Sequence, residues 1–320
     1  AIVGILIFFH VLEIDLVSCL LKIRNKQIRI RIQKNHDDCC NPVLIYWVKE
    51  ERKIIDIITC SFRPMNKSNA LLNIEIITFS VATIALSSLI CYASYDLGEP
   101  NLAILSVFTP SLVALVITAI TKGKQGVYDL LVGQTIRYMA PKWLFLSIFG
   151  LPVLAILAVL TSVSFDVSAI ALRSTQLLPQ MLVIFLIAIG EEYGWRGFML
   201  PRLLEKYSVV KSSLILGLTW GFWHFPAYLI GTGVPEQMNF LLFLLWVVLG
   251  TLFISWIYYY TRSVLTSILA HMGANAAFNY LPILPEFTGS RTRFWIFLIY
   301  LAILLVVVFY KMRKDLFLAK

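Results

Sequence analysis

From Leu72 onward the chain is a train of apolar runs, each roughly 18–22 residues long and separated by short polar breaks. A helix of that length crosses the hydrocarbon core of a bilayer. Eight such spans are expected, at about 73–94, 102–120, 143–163, 179–201, 212–230, 239–260, 263–283 and 293–311. Composition agrees: 59% of the 320 residues are hydrophobic and only 14% are charged, against about 45–50% and 25% in soluble domains. The expected class is an all-α, polytopic, integral membrane protein with an eight-helix core.

The net charge of +9 then has a topological reading. Lys and Arg concentrate in cytoplasmic loops. Lys53, Arg63 and Lys67 precede the first core span, whereas the next break holds Asp96 and Glu99. Basic and acidic breaks then alternate, with Lys122, Lys124, Arg137 and Lys142 in one, Asp166 with Arg173 in the next, and Arg202, Lys206 and Lys211 after that. Only the break with Glu286, Arg291 and Arg293 disagrees. Both ends of the core are expected in the cytoplasm. No basic patch interleaves with aromatics, so nucleic acid is not an expected partner; the lipid bilayer is.

Residues 1–70 form an extension of uncertain structure, followed by a core over about 71–312 and a basic cytoplasmic tail over 313–320. The first apolar stretch, 1–21, is interrupted by His10, Glu13 and Asp15 and makes a poor signal peptide. It reads as an extra span, an interfacial helix or a tail. Residues 22–70 look polar and weakly patterned. Cys19, Cys39, Cys40, Cys60 and Cys91 include no CxxC pair, so neither structural zinc in the His36–Cys40 tract nor a structural disulfide is expected.

Against this greasy background three charges stand out. Glu191, Glu192 and Arg196 lie inside the fourth expected span, where a charge costs several kcal/mol. His224 lies in the fifth span, and His271 with Asn275 in the seventh. Counted from the cytoplasmic end of each span, Glu192 lies roughly 15 Å deep, His224 roughly 18 Å, His271 roughly 12 Å and Asn275 roughly 18 Å. Antiparallel helices thus bring their polar groups to one slab, as a shared buried site requires.

Glu192 and Arg196 are spaced i,i+4 with the acid first, the favoured order for a helical ion pair. Glu191 points about 100° away around the helix and is free for chemistry. The bland alternative is a structural charge cluster at a helix exit. Pro226 frees a carbonyl and kinks the helix beside His224. His224 alone would read as a core histidine. His271 and Asn275 share a face, from which they can hold a ligand or aim donors at an oxyanion. They could equally be interhelical glue, as Asn279 reads. Gly190 with Gly194, and Gly217 with Gly221, suggest close packing of the fourth span on the fifth.

The order Glu191-Glu192 to Arg196, Trp220 to His224, and His271 to Asn275 resembles the CPBP family of intramembrane proteases. That family includes the type II CAAX prenyl endopeptidases of the Ras-converting kind and bacterial relatives for bacteriocin processing and self-immunity. Trp220 stands where the family's second motif usually has Phe. The resemblance covers roughly residues 75–312. It implies an eight-helix core whose polar cavity opens toward the cytoplasmic side. It also implies hydrolysis of a peptide bond in a membrane-associated, CAAX-type prenylated substrate. Carried over by motif position, Glu191 activates water with help from His224. His271 and Asn275 bind or polarise the scissile carbonyl, and Glu192 and Arg196 brace the site. Zn2+ on Glu191, His224 and His271 is the alternative to a metal-free carboxylate mechanism. HExxH is absent.

Two other functions stay open on the sequence alone. Buried Glu, His and Arg also mark transporters and proton relays, although all the polar groups here lie in the second half, without the two-fold repetition such proteins show. A non-catalytic immunity or scaffold member of the same family is the other. Substrate identity and oligomeric state are not legible.

Overall fold

In a computed structural model the described residues are 28–33, 43–48, 67–135, 137, 140–170 and 177–313. The first apolar stretch, the His36–Cys40 tract, four of the five cysteines, Arg173 and the end of the basic tail lie outside them. Cys91 is a free, buried thiol. The chain forms two compact units, Ala1–Leu71 and Leu72–Lys320.

In the first unit, β1 (Ile28–Gln33) pairs antiparallel with β2 (Val43–Val48), with Ile28 opposite Val48 and Gln33 opposite Val43. This hairpin was not anticipated, although Ile28-Arg29-Ile30-Arg31-Ile32-Gln33 alternates with the strict period of a strand.

The described residues of the second unit form helices and the turns between them. The helices are α1 (Lys67–Asp96), α2 (Thr109–Tyr128), α3 (Pro141–Ser162), α4 (Leu177–Glu192), α5 (Leu200–Lys206), α6 (Val209–Trp223), α7 (Phe225–Leu229), α8 (Phe240–Thr261), α9 (Val264–Tyr280), α10 (Pro285–Thr288) and α11 (Thr292–Lys311). A 3-10 stretch, Pro100–Phe108, leads into α2, and a π-helical stretch, Tyr193–Met199, joins α4 to α5.

Among the described residues five helical segments are long and apolar enough to cross a membrane: Leu71–Asp96, Pro100–Gly133, Pro141–Ser162, Phe240–Thr261 and Thr292–Lys311. Their outward faces carry bare apolar side chains such as Leu89, Phe145 and Val306, which in water would be an aggregation liability and in lipid are ordinary. The protein is an integral membrane protein of the polytopic helical class. The three remaining expected spans are also helical, but two are broken and one is short. The fourth passes through the π-helical stretch after Glu192, the fifth stops at Trp223 and restarts at Phe225, and the seventh is only 17 residues long. These are the three that carry the polar motifs.

Packing explains how short helices are held. α6 lies along α8, and α9 lies against α3 and α4. Gly273 lets α9 approach α3 closely, since a Cβ there would come within 2.6 Å of the Ile148 carbonyl oxygen. The glycine steps do mediate close packing, but with other partners than expected. Gly190 and Gly194 face Val107, Phe108 and Pro110 at the entry to α2, while Gly217 and Gly221 face Val248, Thr251 and Leu244 of α8. The fourth and fifth spans therefore do not touch through their glycines. They meet instead through side chains, the Trp220 indole reaching Glu191, and the polar groups gather around that contact.

Candidate functional site

Both carboxylates occupy the last turn of α4, and they part there as the helical angle requires. Glu192 Oε1 accepts a hydrogen bond from Arg196 Nη1 at 2.8 Å and another from His271 Nδ1 at 3.0 Å. Glu192 and Arg196 are fully buried. Breaking one partner out of such a pair would strand a charge in a dry interior, so the pair locks the site. Arg196 Nε and Nη2 and Glu192 Oε2 make no hydrogen bond to the described protein.

Glu191 turns the other way, toward α6. Its Oε2 accepts from the indole Nε1–H of Trp220 at 2.6 Å. Only 3% of the residue is exposed. Among the described residues this indole is its one hydrogen-bond donor. A carboxylate held by a neutral N–H, in a low-dielectric pocket, keeps a free oxygen for chemistry.

The two histidines are oriented by their Nδ1 atoms. His224, at the end of α6, hydrogen-bonds the Trp220 carbonyl through Nδ1 at 2.8 Å. A carbonyl only accepts, so Nδ1 carries the proton and a neutral ring presents Nε2 as a lone pair. His271 likewise donates Nδ1–H to the Glu192 carboxylate, leaving Nε2 as a lone pair when neutral and an N–H donor when protonated. Pro226 sits in the first turn of α7, so the helix ends at Trp223 with His224 at its C-terminal cap. The break expected from the sequence is thus the device that turns His224 out of the helix.

The shell around these groups is aromatic and tied to α2. Trp223 Nε1 donates to Thr109 Oγ1 at 3.1 Å, and Ser111 Oγ donates to the Ile189 carbonyl at 3.0 Å. The His224 ring lies 4.7 Å from Trp223 and 4.9 Å from Phe243, both edge to face. Asn275 lies one turn beyond His271 on α9 and is half-buried; its carbonyl accepts from Asn279 Nδ2. Asn275's carboxamide is not joined to the cluster by a hydrogen bond among the described residues. The other five anticipated residues are connected, directly or through Trp220. A surface cavity of about 420 Å³, lined by Ser162, Phe287, Thr288, Ser290, Thr292 and Arg293, involves none of the motif residues.

Sequence reasoning did not assign Trp220 this central place. The signal was there: a buried carboxylate needs a donor, and Trp220 is i,i+4 to His224 on the same face.

A helical membrane protein with a buried acid pair, a guanidinium and two oriented histidines is the class that fold and geometry define. Residues 173–277 match the family model described as type II CAAX prenyl endopeptidase Rce1-like. Over 95 residues the chain is 30% identical to a CAAX prenyl protease 2 of Methanococcus maripaludis, a match covering 28% of this chain and 35% of that protein. The matched segment is thus about a third of the relative's length. The family resemblance read from the three motifs is shown for the segment that carries them.

The donor set can be weighed for zinc. Nδ1 atoms tied to a carbonyl and a carboxylate are the outer-sphere pattern that often orients metal-binding imidazoles. Yet among the described residues no three His, Cys, Asp or Glu side chains gather as metal ligands do, and one Glu191 oxygen is taken by the indole. The arrangement as it stands does not fit a zinc centre.

Proposed function

We propose that this protein is an intramembrane endopeptidase acting on a membrane-associated peptide of the prenylated CAAX type. The observation that carries the reading is Glu191. It is a buried carboxylate without a counter-charge of its own, placed among two oriented histidines, in a segment that matches an Rce1-like family model.

The chemistry follows from the groups present. Glu191 takes a proton from water while the water oxygen attacks the scissile carbonyl carbon. The lone pair of His224 Nε2 accepts the water's second hydrogen as a hydrogen bond. The carbonyl oxygen becomes an oxyanion, toward which Asn275 and a protonated His271 Nε2 can donate. When the C–N bond breaks, Glu191 returns its proton to the leaving amine, so acid and base balance over the cycle. Glu192 and Arg196 touch no reacting atom; they fix His271 and keep the pocket rigid.

The test is cleavage of a fluorogenic farnesylated CAAX peptide by the purified protein in lipid nanodiscs. The expected result is cleavage by the wild type and loss of about 100-fold or more in Glu191→Gln, with the folded yield unchanged. Glu191→Gln turning over at the wild-type rate overturns the assignment. Proton flux into liposomes without any proteolysis would replace it with a relay. A chelator arm reports on Zn2+: full activity after chelation supports the carboxylate mechanism, and loss restored by Zn2+ alone makes the protein a metalloprotease.

A further inference from the structure

One residue contacts four of the six motif side chains, each by a different kind of interaction, and it is Trp220. Its indole N–H donates to Glu191 at 2.6 Å. Its main-chain carbonyl accepts from His224 Nδ1 at 2.8 Å. Its ring face lies 4.5 Å from the Arg196 guanidinium carbon. Its ring edge meets the His271 ring at 5.3 Å and 72°. The side chain is itself buried, with 6% exposed.

We infer that Trp220 is a positioning residue for the proposed hydrolysis: its indole N–H pins Oε2 of Glu191 and so turns Oε1 toward the attacking water. The inference rests on the reading of Glu191 as the base. An indole suits the task for two reasons. It has a donor and no acceptor, so only one hydrogen-bond arrangement with a carboxylate exists. It also cannot exchange a proton with the carboxylate at any ordinary pH, so it orients the base without neutralising it. Arg196, the nearby cation, is kept from that role by its bond to Glu192 and by its seat on the indole face. The same ring thus holds the base with its edge and the cation with its face. Because the carbonyl of this residue also fixes the tautomer of His224, a shift of the α6 backbone at this point would misplace carboxylate and imidazole together.

Trp220→Phe separates these parts, since it keeps a ring and the main-chain carbonyl and deletes only the N–H donor and the second ring. On the farnesylated peptide, kcat is expected to fall about ten- to a hundredfold, the worth of a hydrogen bond to a charged group, with KM changed less than about twofold. The second measurement needs no turnover. In protein labelled with 15N-tryptophan, the indole proton absent from the Trp220→Phe spectrum is expected far downfield in the wild type. It should move upfield in Glu191→Ala and move far less in His271→Ala, which removes only a neighbouring ring. A Trp220→Phe variant that folds, binds peptide and keeps the wild-type kcat overturns the inference while leaving Glu191 as base. So does an indole resonance indifferent to Glu191→Ala, even if Trp220→Phe fails to fold. A wild type that shifts this resonance but cleaves nothing keeps the contact and overturns the hydrolytic reading.

Discussion

The five long apolar helices and the three motif segments are all apolar helices, yet different forces hold them. α1, α3 and α11 expose apolar side chains along most of their length, and about a third of each helix's apolar window is buried. Lipid is their solvent, and hydrophobic length is their specification. α4 with its π-helical continuation, α6 and α9 are short, carry polar groups and are buried among neighbours: Trp195, Arg196, Phe198 and Met199 are completely enclosed. Their fourth, fifth and seventh positions in the chain say little about stability. Specific partners do: the Glu192–Arg196–His271 junction, Ser111 on Ile189, and Trp223 on Thr109. A span paid for by the bilayer tolerates substitution, and a span held by polar partners does not.

The sharpest way to break this contrast is Arg196→Ala. Removing one member of a fully buried pair leaves Glu192 with only its His271 hydrogen bond and should cost about 3–5 kcal/mol in detergent-titrated unfolding. A smaller, lipid-facing truncation in α11, Ile303→Val, should stay within about 0.5 kcal/mol. Equal effects would erase the distinction.

A smaller effect is expected where backbone meets backbone. A Cβ on Gly194 would lie 2.4 Å from the Pro110 carbonyl carbon, so Gly194→Ala should destabilise by about 1–3 kcal/mol. Gly133, whose Cβ would meet nothing closer than 3.6 Å, should accept alanine with little change in the same assay. Similar losses at both glycines would show that the π-helical segment relaxes freely, against the rigid packing described.

The smallest effect lies outside both regions, in the turn after α3. Asp166 caps the short 3-10 turn Val167–Ala169 by accepting from the Ser168 N–H at 2.9 Å, and the hydrogen bonds from Ser168 hold its carboxyl below the usual carboxylate range. A depressed folded value means the cap contributes fully above the ordinary range and is lost as pH falls through the lowered one. Amide exchange at Ser168 should quicken in that acid window and not near neutrality. Quickening near pH 7 instead would remove the cap.

Much of the site was legible because charge in an apolar run is expensive and therefore informative. Glu191, Glu192, Arg196, His224 and His271 stood out by residue type and depth, and all five sit within one connected cluster. The i,i+4 rule gave the Glu192–Arg196 pair, and the proline rule gave the break at His224. The glycine partners were not legible. A small residue announces that something comes close and not what: Gly194 met Pro110, and Gly217 met α8. The strand alternation of residues 28–33 was readable and was passed over beside the stronger helical signal that follows.

Sequence by itself determined that this chain spans a membrane and that its second half hides acid, base and imidazole, because apolar length and buried charge are local properties with large energies. Tertiary structure alone decided which carboxylate faces which helix. Glu191 and Glu192 are chemically identical neighbours; what separates a carboxylate held by an indole from one held by a guanidinium and an imidazole is the position of α6 and α9 around them, and that depends on packing between residues far apart in the chain.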